Sequence, residues 1–235
     1  MENNLYPIFG SINTLENPIF VSKASQLFSR LRNVVESTIS FSGNTRNHCV
    51  GIVDIANSTH TAAKLDNGKS CKYYSIFLNS MATIVEEFGA KVVKNLGDSI
   101  LYYFPETSDD FNEHTFAAPL ECGVVMMEAR DVINNRMSDF GLEPLNYRIS
   151  TDYGSVIIGE SVTSHNEDIF GPTVNVCSKI NSKAPLNGMV IGGDLHQLVK
   201  SFREYHFDFV TEFLSGFKFQ YPIYSVKRNY KEQGS

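Results

Sequence analysis

No run of apolar residues in the 235-residue sequence is long enough to cross a bilayer: stretches such as Ile100 to Phe104 are strand-sized, against the about 20 residues that a membrane span needs. Its four cysteines, Cys49, Cys71, Cys122 and Cys177, form no CxxC pair, and no charged and apolar leader opens the chain at Met1. A soluble protein of the reducing cytoplasm is expected. Asn57-Ser58-Thr59 matches a glycosylation sequon, which without a secretory signal is read as coincidence. The six histidines show neither HExxH spacing nor clustering with cysteine, so zinc is not expected. Positive charge is in deficit: twenty Lys plus Arg against twenty-six Asp plus Glu leave a net charge of −6. That excludes non-specific binding to nucleic acid or an anionic membrane, so an anionic ligand must be captured by a local device.

What is present suits one globular domain with a sizeable core: 42% of residues are hydrophobic and 20% charged. There is no internal repeat and no low-complexity segment. Residues 1–46 read as an N-terminal extension, loosely structured to about Ser22 and then helical from Lys23 to about Ser37, with Leu27, Leu31, Val34 and Val35 on one face. That stripe suits intramolecular packing and pairing with a second copy equally well. The Ser-, Gly- and Asn-rich stretch from Ser40 to Asn47 reads as a boundary before a main domain over 47–228, with 229–235 as a tail.

Within that domain, Cys49 to Ile55 reads as a buried strand carrying Asp54 to its carboxyl end. A helix follows over Lys69 to Phe88 and stops at Gly89. Lys91 to Leu96 and Ile100 to Phe104 flank Gly97-Asp98 as a hairpin. Then come a long helix from Glu113 to about Met137, strands at Asn146 to Tyr153 and Val156 to Ile158, and a helix after Pro172. A strand at Met189 to Ile191, a short helix from Asp194 and two closing strands near Tyr205 to Phe213 and Phe217 to Val226 complete the pattern. Hairpins without strict βαβ alternation predict an α+β fold with a central, mostly antiparallel sheet flanked by helices.

Asp54 and Asp98 both fall at strand ends. If the first strand lies beside the hairpin the two carboxylates converge, and two carboxylates plus substrate phosphates is a usual way to hold Mg²⁺. Three segments then carry a resemblance. Val53-Asp54-Ile55-Ala56-Asn57-Ser58-Thr59 resembles the Asp-Ile-x-x-x-Thr motif of the class III nucleotide cyclases, the adenylyl and guanylyl cyclase catalytic domains. Lys94-Asn95-Leu96-Gly97-Asp98 resembles their Lys-x-x-Gly-Asp motif, and Asp168 through Lys179 is similar to their Asp-x-x-Gly-x-x-Val-Asn-x-x-x-Arg signature. The likeness runs from about Cys49 to Val226.

The resemblance implies a ferredoxin-like class III cyclase core working as a head-to-tail homodimer, with ATP between the chains as substrate. By motif match, Asp54 and Asp98 of one chain hold two divalent ions, Mg²⁺ or Mn²⁺. Lys94 and Asp168 of the partner chain read the base: an ammonium facing adenine N1 and a carboxylate facing its exocyclic amine match donor to acceptor, whereas guanine inverts both. Asn175 orients the ribose, and Lys179 stands where the family carries arginine, keeping the charge but losing the bidentate fork. Ser215, with Lys218 nearby, stands where a triphosphate-binding lysine is common, and Asn57 where glycine is frequent. Arg148 matches a strand position read as structural, and Cys177 is expected to pack against the sheet. The implied reaction is adenylate cyclase chemistry, ATP to 3′,5′-cyclic AMP and pyrophosphate, in cyclic nucleotide signalling, without nucleic acid or membrane as partner. The alternative is a weak or inactive cyclase-like nucleotide-binding module. A palm-type polymerase or diguanylate cyclase is disfavoured, because the hairpin lacks a Gly-Gly-Asp-Glu-Phe turn.

Overall fold

The apolar run from Cys49 to Ile55 buries Cys49, Val53 and Ile55 on one side and Val50 and Ile52 on the other, as alternation along an extended chain requires. Residues 18–31, 39–108, 112–162, 166–214 and 220–229 are described in the computed structural model. The run is the end of a longer strand, β1 (Ile39–Ile55), which pairs antiparallel with β4 (Tyr147–Ser161). The Ser40–Asn47 stretch expected as a boundary loop is therefore strand, with an irregularity between Phe41 and Thr45. Pairing with β4, which composition does not report, overrides its weak intrinsic preference. The two strands expected around Gly154 are likewise one continuous β4.

The hairpin forms as β2 (Lys91–Asn95) and β3 (Ser99–Phe104). With β5 (Glu167–Phe170), β6 (Gly188–Gly192), β7 (Tyr205–Leu214) and β8 (Gln220–Arg228), these build an eight-stranded sheet ordered β2-β3-β1-β4-β6-β8-β7, with β5 joined to β4 off that path. The pairings are antiparallel except β4 with β6. The fold is α+β, as expected.

Helices are α1 (Pro18–Leu31), α2 (Ser58–Ala62), α3 (Asn67–Glu87), α4 (Glu113–Glu128), α5 (Arg130–Ser138), α6 (Pro172–Asn181) and α7 (Gly193–Val199). α1 begins earlier than the expected Lys23, and the rest of that expected helix lies outside the described residues; Leu27 and Leu31 are exposed. The single long helix expected from Glu113 is two, meeting at Ala129. Hydrogen bonds from Ala129 N–H to Val125 and from Ile133 N–H to Ala129 continue across the join, so no Gly or Pro marks it. One face of the sheet is covered by α3, α4, α5 and α7 through Tyr73, Phe77, Leu120, Ile133 and Leu195. The other carries α6 through Cys177 and Ile180. Gly51 is required between β1 and β3, since a Cβ there would stand 2.2 Å from the Tyr102 ring.

A buried acid joins β4 to β8 and α7. Asp152 is 1% exposed and accepts hydrogen bonds from Tyr221 hydroxyl (2.7 Å), Tyr153 N–H (2.9 Å) and Leu195 N–H (3.4 Å). Burial holds its carboxyl up at about 7, against the hydrogen bonds from Tyr221 and Tyr153. A pKa raised on folding means the native state holds the proton more tightly than the unfolded chain. The associated stability is full below the unfolded value near 4 and is lost as pH rises through about 7. Asp152→Asn, which mimics the protonated acid, is expected to gain stability relative to wild type between pH 5 and pH 8, by roughly 1 to 3 kcal/mol. Urea midpoints across that range check it, and a constant difference would refute the linkage.

Candidate active site

Asp54 is the penultimate residue of β1, and the register sets it opposite Ser99 on β3 and Arg148 on β4. All three line a cleft of about 260 Å³, closed on the far side by Ser178, Asn181 and Ser182 at the end of α6 and its continuation. Asp98 follows Gly97 (φ 74°) in the β2–β3 turn, and its carbonyl accepts from Ile55 N–H at 3.2 Å, tying the turn to the end of β1. Ser58 hydroxyl donates to the Asp98 carboxylate. Asn57, at the start of α2, takes φ 61° and ψ 26°, a left-handed conformation that asparagine tolerates better than most residues, so the turn forms without glycine.

The Asp54 carboxyl is raised to about 6, first by burial, then by the Asp98 carboxylate, with Arg148 opposing. Asp54 and the neighbouring Asp98 carboxylate together form a donor set suited to a hard divalent cation, which takes oxygen ligands and leaves positions for water and phosphate. No group of three or more His, Cys, Asp and Glu forms a fuller cage among the described residues. Arg148, read from sequence as structural, lines this cleft, and its buried Nε has no hydrogen-bond partner among the described residues. Only the β1–β4 register shows this; the one available signal was its position at the start of the strand that follows α5.

Lys94 and Asp168 meet within one chain, Nζ to Oδ2 at 2.5 Å. They lie on β2 and β5, which are not hydrogen-bonded neighbours. A bulge at Val93 aligns Lys91 with Tyr103 and Lys94 with Leu101, returning both lysines to one face of the sheet; strict alternation would separate them. The other Asp168 oxygen accepts from Ile169 N–H at 2.8 Å, which fixes the carboxylate. Lys94 Nζ also lies 5.8 Å from the centre of the Phe170 ring.

α6 starts with Pro172 at its first turn after Gly171 (φ 136°), where a Cβ would meet Ser155 carbonyl at 2.8 Å. Asn175 and Lys179 stand one turn apart on its exposed side. Among the described residues no hydrogen bond or ion pair joins either to Asp54, Asp98, Lys94 or Asp168. Cys177 is fully buried against the sheet as expected, and burial pushes its thiol up to about 12, which makes it unreactive. Ser215 and Lys218 lie outside the described residues.

A mixed sheet flanked by helices, with two acids at one strand end and a lysine–aspartate pair between two others, is the class III nucleotide cyclase catalytic fold. The chain belongs to the adenylate and guanylate cyclase catalytic domain family, which matches residues 42–218. Its fold is that of the adenylyl cyclase CyaB from P. aeruginosa, with a TM-score of 0.72 at 21% identity over 81% of this chain and 98% of that one. It is 25% identical over 163 residues to a cytidylate cyclase of Staphylococcus aureus, covering 66% of this chain and 38% of the relative. It is 25% identical over 146 residues to an adenylate cyclase of Streptomyces coelicolor, covering 62% of this chain and 32% of the relative. The chain thus spans about a third of the length of these curated relatives.

Asn181 holds α6 to the sheet: its buried Nδ2 donates to the carbonyls of Ile52 and Arg148 and to Ser150 hydroxyl, each at 3.2 Å. Asn181→Ala leaves those acceptors unpartnered and is expected to cost about 2 to 4 kcal/mol of stability, read from the urea midpoint. A loss below about 0.5 kcal/mol, ordinary for a surface change, would refute the anchoring role.

Proposed function

We propose that the chain is an adenylate cyclase that converts ATP to 3′,5′-cyclic AMP and pyrophosphate at a site shared by two copies of itself. The observation that carries the reading is the presence in one chain of two clusters, the neighbouring Asp54 and Asp98 carboxylates and the Lys94–Asp168 ion pair between β2 and β5. Asn175 and Lys179 are exposed and, among the described residues, bonded to none of these acids, which supports a second copy completing each site.

Asp54 and Asp98 would hold Mg²⁺ or Mn²⁺, two ions per site, supplying acidification of the ribose 3′-hydroxyl and neutralisation of the leaving pyrophosphate. Lys94 donates to adenine N1 while Asp168 accepts from the exocyclic amine. Asn175 orients the ribose so that its 3′-oxygen faces the α-phosphorus in line with the departing pyrophosphate. Lys179 offsets charge on the α-phosphoryl oxygens, and Arg148, with an unpartnered donor in the cleft, offers a cation to the phosphate chain. The 3′-oxygen forms the new bond to the α-phosphorus as the bond to the β-phosphate bridging oxygen breaks, and the hydroxyl proton leaves to solvent.

Cytosine presents the same edge, an acceptor at N3 beside an exocyclic amine, so Lys94 and Asp168 suit it as well. The Staphylococcus aureus relative, a cytidylate cyclase, favours this second reading, CTP to cyclic CMP. Guanine and uracil oppose a carbonyl to Asp168 and an N–H to Lys94.

Purified protein with Mg²⁺ or Mn²⁺ and each of ATP, CTP, GTP and UTP, with products identified by mass spectrometry, tests the reading. ATP is expected to lead, and the two keto-edged nucleotides to fall at least about tenfold behind in kcat/KM. Binding without cyclic product in either metal would sink the enzyme, and preference for GTP would sink the base assignment. Asp98→Ala is expected to abolish turnover. Lys179→Arg is expected to raise kcat by roughly several-fold with little change in KM; if neither moves, Lys179 does not have this role. Mixing inactive Asp98→Ala with inactive Lys94→Ala is expected to restore about a quarter of wild-type activity, since half the dimers are mixed and each has one intact site. No recovery in a mixture shown to exchange subunits argues for a site within one chain.

A further inference from the structure

β5 is a four-residue strand with β4 on one side, from Ile157 opposite Phe170 to Glu160 opposite Glu167. Towards β2 and β3 it is held by side chains. Besides the Lys94–Asp168 contact, Tyr103 hydroxyl donates to Glu167 Oε2 at 3.0 Å, and Lys91 Nζ reaches the same oxygen at 3.3 Å. Lys91 and Glu167 side chains are 56% and 45% exposed, so their ion pair contributes little by itself. Tyr103 is different: the residue is 2% exposed, and its ring packs edge-to-face on His48 at 5.2 Å. His48 is itself buried and bonded through Nδ1 to Phe104 carbonyl at 3.2 Å. The hydroxyl is therefore carried on a fixed ring and aimed at a single acceptor.

We propose that Tyr103 and Glu167 are positioning residues that set base specificity, holding β5 so that the Asp168 carboxylate stays beside Lys94. The inference rests on the reading of Lys94 and Asp168 as the base-recognising pair. Those two charges sit on strands that share no backbone hydrogen bonds, so their spacing is not fixed by the sheet. It is fixed by whatever ties β5 to β2 and β3. Glu167 is adjacent to Asp168, and Tyr103 shares its sheet face with Lys91, its direct partner, and, because of the bulge at Val93, with Lys94. Loosening this tie would let Asp168 drift from the distance at which an ammonium and a carboxylate together match an amino-edged base. Affinity for amino-edged nucleotides would fall, while keto-edged ones, which do not use the pair, would change little.

The test uses the whole 235-residue chain carrying Tyr103→Phe, which removes one oxygen from the buried ring, or Glu167→Ala, which removes the acceptor at a half-exposed side chain and carries little folding risk. Binding of the 3′-deoxy triphosphates of adenosine, cytidine, guanosine and uridine is measured with each; these lack the attacking hydroxyl and bind without reacting. In both variants the preference for amino-edged over keto-edged analogues is expected to fall about fivefold. KM for the preferred nucleotide should rise to a similar extent with kcat within about twofold. Equal weakening of all four analogues would mean a merely structural role, and an unchanged preference no role; either overturns the proposal. Failure of the underlying reading shows in the wild type instead, as no amino-edge preference or no nucleotide binding, and overturns both.

Discussion

Asp54 and Arg148 face each other across β1 and β4, and the geometry of the cleft depends on that pairing. Side chains on a strand alternate with period two, so a slip of one residue between β1 and β4 would turn Asp54 away from Arg148 and expose Val53. Such a slip is opposed by burial on both faces: Val53 and Ile149 pack under α3 to α5, and Ser150 lies under α6, donating to Cys177 carbonyl at 3.0 Å. Asn181 bridges β1 and β4 from above through Ile52, Arg148 and Ser150. Placement of an ionisable group thus follows from apolar packing and a few saturated hydrogen bonds, which are stiff. The Asp54 carboxyl so placed is raised first by burial and then by the neighbouring Asp98 carboxylate.

The Lys94–Asp168 contact is built differently. Lys94 and Asp168 come from the sheet's edge region, and no ladder of backbone bonds joins their strands. A bulge at Val93 and side-chain contacts to a short β5 do the positioning. Asp54 is therefore placed by paired strands, and the Lys94–Asp168 contact by a bulge and side chains.

Much of this was legible in the sequence because local rules and tertiary structure agree there. The hairpin was readable from Gly97-Asp98 between two apolar runs, and α3 from the helical spacing of Tyr73, Phe77, Met81 and Val85 before Gly89. α6 was marked by Pro172. The misread segments are those where a neighbour decides. Ser40 to Asn47 carries loop composition, yet becomes strand because β4 extends far enough to pair with it. The join at Ala129 has no breaker residue, and β5 is too short to show a period. The place of Arg148 beside Asp54 was not legible, because their relation lies across a register that no single-strand pattern encodes.

By itself the sequence determined which residue types are available and where each element turns: acids at two strand ends, a lysine before one of them, and a helix carrying Asn175 and Lys179. These are local matters of chain direction, side-chain period and backbone preference. Only the tertiary structure decided which of these groups meet. Pairing of β1 with β4 brought Arg148 to Asp54, the bulge turned Lys94 towards Asp168, and packing of α6 left Asn175 and Lys179 facing outward. Contacts between residues tens of positions apart depend on strand order and register, which are set by burial of the whole sheet rather than by any segment of it.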